Sequence, residues 1–198
     1  MRNNILSIAL SIISAPYLTA AVISNTNVSL SDGGFAGADY ALTVFQDEAG
    51  TDPTSILFNV TGSILTFVTS NIDEGSDWYL ASFEDEFSNG NIQADLFQVF
   101  VRATTSGFES NDLNVGFGSF YLGVNTGNMD GGFDPFPPRN LYGWVRLQNT
   151  GGSLTMLGNA MSYQGTGVVI GTTQAIPEPS SLTLLLGMFA TTFWRRRT

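Results

Sequence analysis

The chain has 198 residues, of which 12% are charged and 12% aromatic, with 22 Gly and neither Cys nor His. Those two absences exclude disulfides, cysteine-ligated zinc, and Ser-His-Asp or Cys-His catalysis. Lys is missing too, and residues 22–176 hold 3 Arg against 16 Asp plus Glu, a formal charge of −13, so the surface repels nucleic acid and anionic lipid.

The chain opens with Met1-Arg2-Asn3-Asn4, an apolar run from Ile5 to Ile13, and the small-residue stretch Leu18-Thr19-Ala20-Ala21. A charged start, a short apolar core and a small-residue exit are the three parts of a secretory signal peptide. Cleavage after Ala21 places Thr19 and Ala21 at the two small-residue positions. The apolar core is too short to span a hydrocarbon layer of roughly 30 Å. Residues 1–21 are therefore read as a signal peptide.

Residues 22–174 read as one domain of strands. Turn-rich clusters such as Ser31-Asp32-Gly33-Gly34, Asp47-Glu48-Ala49-Gly50 and Ser88-Asn89-Gly90-Asn91 separate short runs of aromatic and β-branched residues. The pattern predicts strands at Tyr40–Phe45, Ser55–Val60, Ile64–Thr69, Trp78–Phe83, Asp95–Ala103, Gly118–Val124, Tyr142–Gln148, Leu154–Leu157 and Gly167–Gly171. Phe97, Val99 and Val101 alternate with Gln98, Phe100 and Arg102, which predicts one buried and one more exposed face. No window carries a long capped helical pattern. Many short strands with little helix point to an all-β domain, a single antiparallel β-sandwich or jelly roll. About 150 residues suffice for a core without disulfides. The proline-rich stretch Gly131–Arg139 is excluded from inner strands, because Pro donates no ladder hydrogen bond.

After Ile176 the chain changes character. Pro177-Glu178-Pro179 forms an extended, accessible segment. Ser180 or Ser181 can cap a helix over the charge-free Leu182–Trp194, and Arg195, Arg196 and Arg197 follow. Ser180–Trp194 would be about 22 Å long as a helix, a marginal span. Trp194 suits the interface, and the Arg cluster would stay cytoplasmic. Residues 175–198 are thus read as a short membrane helix with a basic stop.

Proline hinge, short apolar helix and terminal basic cluster, in that order, resemble the PEP-CTERM family of sorting signals. The resemblance covers the last two dozen residues. It implies processing by exosortase, an integral-membrane cysteine transpeptidase, near Pro177–Pro179. It also implies transient residence in the inner membrane of a Gram-negative bacterium that makes exopolysaccharide, and delivery to the cell surface or extracellular matrix. In the middle of the chain, Phe120-Tyr121-Leu122-Gly123 with Tyr142-Gly143-Trp144-Val145 resembles the β-rich ectodomains carried ahead of such tails, which implies no activity.

Few residues suggest chemistry. Asn125, Asn128, Asp130 and Asp134 offer oxygen atoms within a Gly-rich stretch, as calcium prefers, although the spacing is not that of an EF-hand. A surface turn is the simpler reading of the same residues. The acidic clusters Asp73-Glu74-Gly75-Ser76-Asp77 and Glu84-Asp85-Glu86 read as solvated loop charge, or as paired carboxylates for glycoside hydrolysis. Tyr142 and Trp144 share a strand face, which means core packing or a sugar-stacking platform. The leading expectation is a non-enzymatic structural or interaction protein of the cell surface, with secretion machinery and exosortase as partners and no cofactor. A carbohydrate-binding module is the alternative, and a carboxylate-based glycoside hydrolase ranks third.

Overall fold

The computed structural model describes residues 22–24, 27–34, 37–45, 53–70, 76–104, 107–126, 141–163 and 167–176. The expected signal peptide with Thr19 and Ala21 lies outside these residues. So do the tail with Pro177, Glu178, Pro179 and Arg195–Arg197, and Asn128, Asp130 and Asp134.

Two antiparallel sheets face each other. The larger is formed by Val22–Ser24 (β1), Ser153–Ser162 (β13), Leu141–Thr150 (β12), Gly118–Thr126 (β11), Ser76–Ala81 (β6), Gln98–Thr104 (β8) and Gly107–Ser110 (β9), in that spatial order. The smaller has the order Leu113–Asn114 (β10), Ile64–Ser70 (β5), Pro53–Thr61 (β4), Tyr40–Phe45 (β3) and Val28–Asp32 (β2). Neighbours along the chain mostly pair as hairpins. Between β12 and β13 the turn is Gly151-Gly152, with φ of 70° and 95°. A two-residue hairpin of this hand needs positive φ at both positions, which only Gly adopts freely.

The sheets bury one continuous apolar layer between them. Trp78, Phe58, Phe100, Leu42, Ile56, Leu65, Leu122 and Leu147 are all fully buried there. Each such side chain stabilises the fold by about 1.5–3 kcal/mol relative to exposure. Phe58 meets Phe100 edge-on across the layer at 5.9 Å between centroids. The Trp78 indole N–H donates to Ser76 Oγ at 2.8 Å, so the largest core side chain leaves no buried donor unpaired. Asn149, also buried, stitches the sheets at their hairpin end. Its Nδ2 donates to Gly62 O at 2.8 Å and Gly116 O at 2.9 Å, while its Oδ1 accepts from Gly152 N at 2.9 Å.

The larger sheet is covered on its second face as well. Glu86–Phe87 (β7) pairs with Val168–Val169 (β14), and between β7 and β8 lies the short helix Asn89–Gln93 (α1). These pieces hold a second apolar cluster of Tyr79, Ala81, Phe87, Tyr142, Trp144, Ala160, Val168 and Ile170 against the sheet.

The all-β sandwich expected from the sequence is the fold that forms, with several local differences. β8 begins at Gln98 rather than Asp95, because residues 94–96 complete the turn after α1 and Asp95 sits at φ 53°. β6 ends at Ala81, and Phe83 lies in the turn beyond it. Within Gly167–Gly171 only Val168–Val169 is strand. Phe100 is fully buried rather than exposed. A bulge opposite Trp78 and Tyr79 puts an extra residue in β8, so Phe100 and Val101 both enter the inter-sheet core. Val99 and Phe97 pack instead on the outer cluster. The described fold continues to Ile176, whose N–H donates to Gly167 O at 2.8 Å.

Candidate binding face on the outer sheet

Register places residues on the outer face of the larger sheet in rows. One row is Ser162, Tyr142, Asn125 and Asp77; the next is Ala160, Trp144, Gly123 and Tyr79; the third is Gly158, Arg146, Tyr121 and Ala81. Successive rows lie two residues apart along each strand, so they share the face. The cover sits over the second row. The Phe87 ring packs at 5.7 Å from Tyr79, 6.2 Å from Tyr142 and 5.1 Å from Phe97. It fits because β11 has Gly123 there: a Cβ would lie 2.7 Å from the Phe87 ring.

The first row is the polar end. Asn125, the one described member of the expected calcium set, is 2% exposed, and its Oδ1 has no hydrogen-bond partner. Asp77 lies opposite it on β6 and accepts from the Tyr79 hydroxyl over 3.5 Å. Burial, reinforced by the Asp77 carboxylate, holds the Tyr79 phenol well above its ordinary pKa. Among the described residues, no three His, Cys, Asp or Glu come together in a way that could hold a metal.

The third row is the aromatic end, where the cover stops. Tyr121 is half-buried, with the Trp144 ring edge-on at 5.9 Å and the Phe83 ring, tilted by 37°, at 6.1 Å. The Arg146 guanidinium lies 5.6 Å from the Tyr121 centroid, within cation–π range, and its Nη2 donates to Ser119 Oγ at 3.2 Å. Trp144 Nε1 donates to Thr172 O at 2.8 Å, which fixes the indole beneath. Phe83 is 55% exposed.

The turn that carries Phe83 is pinned. Ser82 N donates to Asp85 Oδ2 at 2.7 Å, Glu84 N to Ile170 O at 3.0 Å, and Ile170 N to Asp85 O at 2.9 Å. Glu84 takes φ 68°, an uncommon backbone for a residue with a Cβ. Asp85 of the Glu84-Asp85-Glu86 cluster thus serves the turn, and Glu84 and Glu86 are exposed. Asp73 and Glu74 lie outside the described residues.

Tyr142 and Trp144 do share a face, as the sequence indicates. Both are buried, at 2% and 7% exposure, and they pack rather than present rings to solvent. At this end of the outer face the rings that reach the surface are exposed Phe83 and half-buried Tyr121, neither of which was expected as part of a sugar-stacking platform. Period two puts Tyr121 on the Trp144 side only once the β11–β12 register is known, and Phe83 reaches it from a turn. Comparison with protein-family models, curated proteins and solved structures found no match for this chain.

Proposed function

We propose that this chain is an exported protein of the cell surface or extracellular matrix, whose β-domain acts by interaction and whose tail is read by an exosortase. The observation that carries this reading is the ordered tail: Pro177-Glu178-Pro179, the charge-free Leu182–Trp194, then Arg195-Arg196-Arg197. Such a tail suits a PEP-CTERM substrate held briefly in the inner membrane, with the basic stop inside and the domain outside.

Val22, the residue after the expected cleavage position Ala21, pairs with Ser162 of the larger sheet. Ile176, the residue before Pro177, donates its N–H to Gly167 O. Cuts after Ala21 and near Pro177–Pro179 would leave both of these contacts in the mature chain. No disulfide is needed in the oxidising exterior, because the two apolar clusters supply the burial.

Replacing Pro177-Glu178-Pro179 by Ala-Ala-Ala tests the reading. The expected outcome on fractionation is a precursor retained at the inner membrane. Unchanged extracellular release would refute it.

A further inference from the structure

The cover protects only part of the outer face. Beyond it, exposed Phe83 and half-buried Tyr121, their rings 6.1 Å apart and tilted by 37°, form a small apolar surface, with the Arg146 guanidinium over the Tyr121 ring and Ser119 and Gln148 exposed nearby. Core packing does not account for Phe83. Its ring is more than half in solvent, on a turn pinned by hydrogen bonds to residues 85 and 170 and containing a positive φ at Glu84. Backbone strain and rigidity around an exposed ring are features of binding sites. Gly171 adds to them: a Cβ there would lie 2.5 Å from the Phe83 ring and 3.2 Å from Tyr121 Cε1. Gly171, whose φ of 81° itself favours glycine, thus leaves room for the two rings to sit together.

We propose that Phe83 and Tyr121, with Arg146 alongside, form a binding site for a neutral polysaccharide. This does not depend on how the chain is exported. A pyranose ring has an apolar C–H face that matches a fixed aromatic surface, and hydroxyls at its edge that need hydrogen-bond partners. Tyr121 and Phe83 supply the surface. Arg146 and Gln148 supply rim donors, since Arg146 has five N–H groups and commits one to Ser119. Among the described residues, no carboxylate pairs with Arg146; the described ion pair is Arg102–Glu109. The charge of the domain selects the ligand class. A polyanionic chain would meet the −13 field of residues 22–176, whereas a neutral chain meets no such barrier.

Affinity electrophoresis of the full-length chain in non-ionic detergent, through gels containing a neutral glucan, a mannan, a galactan or a polyuronate, tests the proposal. The expected result is retardation by at least one neutral polymer. Phe83→Ala and Tyr121→Ala should each weaken it about tenfold, equivalent to losing one aromatic contact. Phe108→Ala, which removes an exposed ring on β9 packed against Phe67, should leave it unchanged. Phe83→Ala should also keep the parent melting temperature, because the ring is exposed. If Tyr121→Ala fails to fold, Phe83→Ala and Arg146→Ala decide the matter. The proposal is overturned by no retardation in any neutral gel, by retardation in the polyuronate alone, or by retardation that Phe83→Ala does not reduce. Self-association in sedimentation that Phe83→Ala abolishes, without sugar binding, would assign the face to a second copy instead.

Discussion

The two faces of the seven-stranded sheet are buried by different means. The inner face meets another sheet, and its layer is shared by strands from β2 to β13. The outer face meets a cover assembled from residues 86–97 and 167–170, joined by the two-residue pairing of β7 with β14. The first is a broad, repetitive contact whose loss removes the fold. The second is narrow and turns on one ring, Phe87. Because the cover is small, it stops at the third row, where Arg146 is exposed, Tyr121 half-buried and Phe83 reaches the surface beside them.

The largest expected effect falls on the inner layer. Leu122→Ala should lower global stability by about 2–5 kcal/mol, seen as a parallel shift of all probes in urea unfolding. Phe87→Ala should instead act locally. Amide exchange should speed up at Val169, Ile170 and Ile176, whose N–H groups hold the cover together, while β12 and β4 stay protected. Gly123→Ala should do the same by pushing against Phe87, at about 1–3 kcal/mol. Uniform loss of protection in either variant would break the distinction between the two faces.

A smaller effect is expected at alkaline pH. The Tyr79 phenol is held protonated in the fold by burial and by Asp77, so its folded pKa lies above its unfolded value near 10. Above that pH the unfolded chain binds fewer protons than the folded one, so stability falls as pH rises. Below it, this contribution is fully present. Melting temperature measured from pH 9 upward should fall less steeply for Tyr79→Phe than for the parent. Equal slopes would place Tyr79 in contact with solvent.

Much of the inner layer is legible in the sequence because it follows period two. Tyr40–Phe45 matches β3 at both ends, and Ser55–Val60 and Ile64–Thr69 fall inside β4 and β5. The outer cluster is not legible, for a physical reason. Its pieces are too short to show a period: β7 and β14 have two residues each, and α1 has five with no side-chain cap. They gain order only from the sheet beneath them. Phe100 misleads for a related reason, since a bulge changes its face without leaving a local mark. At the candidate site, Trp144 is visible from its strand, but Phe83 and Gly171 come together only through the Glu84–Ile170 hydrogen bond.

The division of the chain into removable addresses and a retained double-faced sheet is open to one direct measurement, mass spectrometry of both termini of the protein recovered from the surface of host cells. A mature chain that begins at Val22 and ends near Pro177–Pro179, without Arg195–Arg197, is the expected result. A freely soluble product that still carries Met1 and Thr198 would contradict it.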